Sequence, residues 1–408
     1  VGYAVVKKPE GYTTAKVDQI ISEYEKKSAN TQQSTAKQYP NIITVVNETF
    51  ADIKVLGDFK TNEDYMPYFH SLKKNCVTGY TYASIVGGQT ANTEFELLTG
   101  NTLGFLSAGT TAFQLYIHGQ MPSLVSNLKA EGYSGNKAMH PFNPYNYNRP
   151  AVYKDFGFTD FIDKFDFPKN VKRVREYISD EANVDRIISE YEKNRKKTDQ
   201  PFYMYNMTIQ NHSPYDKDAA NFKQPIKIES SKYDAEANRY LNLIKYSDDS
   251  LKQLTSYFEK CKEPTIILFL GDHQPRLTDE FMNKITNGQY QTWSSEQMMK
   301  RYQVPFVIWA NYDIKEQHIE KTSMNYMQSI LTQTAGVKMT GYQRFLNEVR
   351  KEVPTITSQG YWGKNGKFYQ INDKGSPYYG IIQKYRMIQY NMMFDKKNRR
   401  DSFFEVSK

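Results

Sequence analysis

Asp272 and His273 directly follow the apolar run Thr265-Ile-Ile-Leu-Phe-Leu-Gly271, so a carboxylate and an imidazole leave a buried strand together at its C-terminal end. Open α/β sheets hold their ligands at that end. A second run, Asn41-Ile-Ile-Thr-Val-Val-Asn47, delivers Glu48 in the same way, and Gly87-Gly88-Gln89-Thr90 puts a hydroxyl on a glycine-rich turn. Two carboxylates, an imidazole and a hydroxyl suit one divalent cation with a nucleophile inside its ligand set. Each residue alone has a plainer reading: an Asp after a strand caps the next turn or helix, and a lone histidine is more often structural. Their agreement favours a metal site. Each follows a β-rich run or a Gly pair, and each is a hard or borderline ligand for Mn2+, Mg2+ or Zn2+.

The surrounding sequence supplies the elements that would position these groups. Strand patterns occur at Lys137–His140, Phe202–Thr208, Thr265–Leu270 and Pro305–Trp309, and helical patterns at 121–131, 172–196, 235–259 and 323–334. This alternation predicts an α/β fold whose central, mostly parallel sheet is covered by helices on both faces. Residues 13–28 carry a helical stripe (Val17, Ile20, Ile21, Tyr24), and a polar linker, Ser28 to Thr35, separates it from the first core strand. Beyond about residue 350 the pattern changes. Gly360-Tyr-Trp-Gly, Lys367-Phe-Tyr-Gln-Ile and a helical run from Tyr378 to Phe394 predict a small β-plus-helix subdomain packed on the main domain. The expected division is 1–40, helix and linker; 41–350, catalytic domain; 351–408, C-terminal subdomain. Ile-Ile-Ser-Glu-Tyr-Glu-Lys occurs at 20–26 and again at 187–193. Without a short period or a third copy, this reads as two amphipathic helices of similar needs, not a solenoid.

A chain of 408 residues with 39% hydrophobic and 24% charged residues can bury a large core. Its net charge of +8 favours anionic partners. Lys396-Lys-Asn-Arg-Arg400 is the one dense basic block, either a membrane-surface or polyanion contact or a solvated tail. No nucleic-acid recognition motif is present. The two cysteines, Cys76 and Cys261, give no disulfide framework and no metal-ligand spacing. No apolar stretch approaches the ~20 residues a membrane helix needs. The start at Val1-Gly-Tyr without Met suggests a piece of something longer.

From Pro40 to beyond Pro305 the chain resembles the lipoteichoic acid synthase family, phosphoglycerol transferases of the sulfatase and alkaline phosphatase superfamily. Asn47-Glu48-Thr-Phe resembles its first metal-ligand strand end, Gly88-Gln-Thr90-Ala-Asn-Thr-Glu-Phe95 its nucleophile segment, and Gly271-Asp272-His273 its last two ligands. Met139-His140-Pro141, Tyr147-Asn-Arg149 and Asn211-His212-Ser-Pro-Tyr215 resemble its substrate-binding segments. The resemblance implies that Glu48, Thr90, Asp272 and His273 hold one cation, Mn2+ or Mg2+ with Zn2+ as a further candidate, and that Thr90 is the nucleophile. It further implies that His140 and Arg149 hold phosphate oxygens, Tyr147 walls the glycerol pocket and His212 sits beside the leaving oxygen. Read from residue chemistry alone, Arg149 is either a phosphate fork or a surface ion-pair residue. His212 is either a general acid or an exposed loop histidine.

Two absences narrow the reaction. The residues four before the six histidines are Met66, Gln114, Asn136, Thr208, Phe269 and Ile314, so the Asp-x-x-x-His pair of two-metal phosphatases is missing. Neither cysteine lies in the C/S-x-P-x-R context that makes formylglycine in sulfatases. A one-metal phosphodiester transferase with a threonine nucleophile remains. By the resemblance its donor is phosphatidylglycerol, and its acceptor is a glycerol-phosphate polymer, a glycolipid or a cell-wall polysaccharide. The same resemblance implies a monomeric domain on the extracellular face of a Gram-positive-type membrane, with an anchor upstream of Val1. The alternative is a phosphodiesterase passing the same group to water.

Overall fold

The structure is a computed structural model and describes residues 6–29 and 35–406. Most of the expected linker, residues 30–34, lies outside the described residues. Among the described residues there are thirteen strands: β1 (Asn41–Asn47), β2 (Cys76–Tyr82), β3 (Ser134–Met139), β4 (Asp160–Ile162), β5 (Arg173–Val174), β6 (Tyr177–Ile178), β7 (Phe202–Met207), β8 (Thr265–Gly271), β9 (Gln303–Ala310), β10 (Gln317–Ser323), β11 (Thr355–Thr357), β12 (Gly360–Trp362) and β13 (Phe368–Tyr369). Eight of them form one sheet in the order β10-β2-β9-β8-β1-β7-β3-β4. Only β9 runs against its neighbours, so the sheet is mostly parallel. β5 and β6 form a hairpin, and β11 to β13 a small antiparallel sheet.

β1 and β8 are buried along their whole length, which is why their sequences are almost unbroken apolar runs. Alternate residues feed two cores. Ile42, Val46, Ile266, Leu268 and Leu270 face one, while Ile43, Val45, Ile267 and Phe269 face the other. The first core is covered by helices at Thr14–Ala29, Thr90–Thr99, Gly341–Glu352 and Tyr379–Phe394, the second by Asp180–Lys197 and Ala235–Glu259. The two copies of the repeated heptapeptide thus lie on helices of opposite faces. Among the described residues no helix is long and apolar enough to cross a membrane.

The segment after residue 350 shares the first core. Tyr385 donates its hydroxyl to the Gly100 carbonyl at 2.6 Å, and Gln389 accepts from the Thr102 amide at 2.8 Å. It therefore braces the C-terminal end of the helix that begins at Thr90. The N-terminal helix packs on the same layer through Tyr24 against Phe345, with ring centroids 4.6 Å apart.

The helical pattern read over 172–196 begins only at Asp180, because 173–178 turns back as the β5-β6 hairpin through Arg175 at φ 56°. Ser179 then caps the helix by accepting from the Ala182 amide. Three strands of the main sheet, β2, β4 and β10, have no counterpart in the sequence reading. β10 is a largely polar edge strand, and β2 is broken by Gly79, where a Cβ would lie 2.0 Å from the Ile319 carbonyl oxygen. Cys76 and Cys261 are both free.

Candidate active site

Strand register builds the site. Asn47 and Gly271 are partners across the parallel β1-β8 pair, so Glu48 and Asp272 leave the sheet side by side. Gly271 cannot be larger, since a Cβ there would lie 1.8 Å from the Phe50 carbonyl oxygen. The Glu48 amide donates to Thr208 Oγ1 at 2.8 Å, tying β1 to the end of β7. Thr49, at φ 55°, turns the chain so that its amide donates to Asp272 Oδ1 at 2.7 Å and its hydroxyl to Glu48 Oε1 at 2.8 Å.

Thr90 is the first residue of the Thr90–Thr99 helix, preceded by Gln89 at φ 62°. A helix start carries amides without intrahelical partners and the positive end of the dipole, so a phosphate beside Thr90 meets a favourable field. The Thr90 hydroxyl donates to Asp272 Oδ2 at 2.7 Å. Thr93 is tied instead to the Asp272 backbone carbonyl at 2.7 Å.

Ligand atoms of Glu48, Asp272 and His273 lie within 4.8 Å of one another, and all three residues are buried. His273 Nδ1 donates to the Gln274 carbonyl at 2.8 Å. Its Nε2 has no hydrogen bond, although it stands 3.3 Å from Glu48 Oε1 and 3.2 Å from Asp272 Oδ2. Burial opposes protonation of His273, but the Asp272 and Glu48 carboxylates outweigh it and raise its pKa to about 9, so the cluster draws in positive charge that a divalent cation at Nε2 would supply in place of the proton. Burial and the Glu48 charge push the Asp272 carboxyl up from its ordinary value; burial opposes ionisation of Glu48 too, but His273 outweighs it and holds Glu48 low. Two carboxylate oxygens, one imidazole nitrogen and an adjacent hydroxyl fit a single Mn2+, Mg2+ or Zn2+.

These groups open on a pocket of about 630 Å³ lined also by His140, Tyr147, Arg149 and His212. All eight residues expected from the sequence therefore converge on one place. Two of them are held in ways that change their expected roles. Arg149 is buried and turns Nε and Nη2 to Glu94 Oε2 at 3.2 and 2.9 Å. One of its two fork faces is therefore closed on a carboxylate that also matches its charge, leaving the Nη1 side for a ligand. Glu94 also accepts the hydroxyls of Tyr205, at 2.8 Å, and Tyr153. His140 Nδ1 donates to the Met207 carbonyl at 2.9 Å, while burial and the nearby Arg149 push its pKa down to about 3. Its Nε2 is therefore an acceptor, suited to a hydroxyl and not to a phosphate oxygen. His212 Nδ1 lies 2.6 Å from the Ser213 carbonyl, which leaves Nε2 to exchange a proton, and Phe142 stacks on its ring. Tyr147, at φ 59°, lies 5.2 Å from the Arg149 guanidinium.

The sequence reading missed Thr49, Glu94, Thr208 and Arg276. Glu94 had a signal: it stands four residues after Thr90, one helical turn on.

A threonine on a helix start beside a Glu-Asp-His set, at the C-terminal edge of a mostly parallel sheet, defines an α/β protein of the sulfatase type. The chain belongs to the sulfatase family, whose family model matches residues 40–337. It is 30% identical over 410 residues to a Rhizobium meliloti protein named for cyclic beta-1,2-glucan modification, an alignment covering 98% of this chain and 61% of that one. It is 27% identical to the lipoteichoic acid synthase-like YvgJ of Bacillus subtilis, over 57% of this chain and 36% of that one. The chain thus spans less than two thirds of these relatives. In fold it is similar to the Streptococcus pyogenes phosphoglycerol transferase GacH, solved with sn-glycerol-1-phosphate, with a TM-score of 0.79 and 20% identity over 99% of this chain and 100% of that one.

Proposed function

We propose that this chain is the catalytic part of a phosphoglycerol transferase that takes its group from phosphatidylglycerol and passes it, by way of a glycerophosphoryl-threonine, to a cell-envelope acceptor. The observation that carries the reading is the Thr90 hydroxyl bonded to a carboxylate that also faces the unpartnered nitrogen of His273. A divalent cation bound by Glu48, Thr90, Asp272 and His273, Mn2+ before Mg2+, would lower the hydroxyl's pKa and neutralise phosphate charge.

The chain's own groups divide the remaining work. Thr90 Oγ1 attacks phosphorus, its proton being held at Asp272 Oδ2, and the bond to the diacylglycerol oxygen breaks. His212 Nε2 in its protonated form supplies the proton that the leaving oxygen needs. In the second half an acceptor hydroxyl gives its proton to the same nitrogen and attacks phosphorus, the bond from phosphorus to Thr90 Oγ1 breaks, and Thr90 takes its proton back from Asp272. His140 Nε2 accepts from a glycerol hydroxyl, Tyr147 walls the glycerol, and Arg149 Nη1 adds one donor. The phosphoglycerol ligand of GacH supports this choice of group. The glucan-modification name of the Rhizobium relative supports a saccharide among the acceptors. A phosphatidylglycerol donor would put the domain at the outer face of a membrane.

The test is incubation with phosphatidylglycerol and Mn2+, followed by intact mass and peptide mapping. One phosphoglycerol unit on Thr90, with release of diacylglycerol, is expected. Phosphoglycerol appearing only as free glycerol phosphate, whatever saccharide or glycolipid is supplied, would establish the hydrolase alternative.

A further inference from the structure

Arg276 lines the same pocket as Arg149 but is held differently. It is exposed and carries no hydrogen bond or ion pair among the described residues. It is nevertheless not adrift. A Cβ placed on Gly87 would lie 3.0 Å from Arg276 Cβ and 3.5 Å from its Nε, so the arginine side chain runs along the Gly87 backbone. The Gly87 amide donates to the Gln274 carbonyl at 2.9 Å, which clasps the turn after Asp272-His273 onto the loop leading into Thr90. The guanidinium accordingly lies beside that loop, three residues before the nucleophile, with both terminal nitrogens unspent.

The charges around the pocket are not balanced. Glu48, Asp272 and Glu236 bring negative charge to it or its floor, and the Arg149 charge is matched by Glu94. An incoming phosphodiester therefore finds one unmatched cationic side chain, Arg276, besides whatever cation the carboxylates bind.

We propose that Arg276 is a substrate-binding residue that supplies a two-donor fork to the oxygens of the transferring phosphate, with a charge that no carboxylate matches, whereas the Arg149 charge is already matched by Glu94. The proposal deepens the phosphoglycerol reading and rests on it. Planar, parallel donors match two phosphate oxygens in a way that an ammonium does not.

Arg276→Met keeps the stem that packs on Gly87 and removes only the charged fork. Calorimetric titration with sn-glycerol-1-phosphate, inorganic phosphate and glycerol, on the Mn2+-loaded and metal-free chain, reads the effect directly. Arg276→Met is expected to weaken both phosphate ligands about ten- to a hundredfold, the range for a lost hydrogen bond between charged partners. Arg276→Lys should recover little of this, and glycerol binding and thermal midpoint should stay at wild-type values. Unchanged phosphate affinity in Arg276→Met overturns the proposal, as does a parallel fall in glycerol binding and thermal midpoint, which would make Arg276 a packing residue. If wild type binds inorganic phosphate through Arg276 but not glycerol phosphate, the phosphoglycerol reading fails while the anion-binding role stands. If wild type binds neither, both fail.

Discussion

Two histidines of this protein stand between pairs of carboxylates, and their surroundings treat them in opposite ways. His70 gives Nε2 to Asp52 at 2.9 Å and Nδ1 to Asp64 at 2.7 Å, so each ring nitrogen has its own acceptor. Asp52 is completed by the Tyr65 hydroxyl and the Lys54 amide. His273 gives Nδ1 to a backbone carbonyl and leaves Nε2 bare before two carboxylates. The first arrangement is complete with a proton and needs nothing more. The second lacks such a bond at Nε2 and offers three converging ligand atoms to a cation. Both carboxylate sets draw on the segment after β1, since Glu48 and Asp52 are four residues apart. A count of charged residues cannot separate a structural imidazolium from a metal site; the bond each nitrogen makes can.

The largest expected effect tests whether the His273 cluster does chemistry at all. Thr90→Ala should lower diacylglycerol release from phosphatidylglycerol by ~10⁴-fold or more, the scale on which a lost nucleophile is felt. His70→Ala should leave the rate of the folded fraction unchanged. Near wild-type turnover in Thr90→Ala would remove the distinction between the two clusters.

A second test concerns the ion pair behind the pocket. The Arg149 and Glu94 side chains are 2% and 0% exposed, and Glu94 is the acceptor for two tyrosine hydroxyls as well. Glu94→Ala should cost about 3–5 kcal/mol in urea unfolding, because it strands a buried guanidinium. A loss below about 1 kcal/mol, the size of an exposed pair, would mean that Arg149 is free to turn toward a ligand.

Metal removal sharpens the comparison directly. Mn2+ at a hundred times its dissociation constant should raise the unfolding free energy by about 2.7 kcal/mol by mass action. Asp272→Ala and His273→Ala should lose that response, and His70→Ala should keep it. Calorimetric unfolding with and without chelator measures all four proteins. An undiminished response in His273→Ala would place the cation elsewhere.

How much of this was legible in the sequence depended on where each signal was written. Glu48, Asp272 and His273 could be found because their strands are central and buried on both faces, which leaves apolar runs that end abruptly in polar groups. Thr90 was marked by its glycine turn. The state of Arg149 was not legible, since its partner lies 55 residues away on another helix and no local pattern encodes that pairing. Nor was the lone pair of His140, because the Met207 carbonyl that fixes it belongs to the neighbouring β7. Helices with strong caps and one apolar stripe, such as Ala235–Glu259, were legible to the residue. The polar edge strand β10 was invisible because exposure removes the alternation that marks a strand.

The smallest effect is a pH dependence, and it isolates the cluster that is complete without metal. The hydrogen bond to Asp52 outweighs partial burial and, with Asp64, raises the His70 pKa to about 9, against about 6.5 for an unperturbed histidine. A raised folded-state pKa means that the native protein binds the proton more tightly than the unfolded chain. The stabilisation is then fully present below about pH 6.5 and is lost as pH rises through about 9. Because the His70 side chain is 39% exposed, solvent screening should reduce the effect to about 1 kcal/mol. Wild type should therefore lose about that much relative to His70→Gln between pH 6 and pH 10, measured as the difference of their urea unfolding free energies so that tyrosine and lysine titrations common to both cancel. A difference that stays constant across the range would mean that His70 is held neutral, and that its two carboxylates resemble those around His273 more than the geometry says.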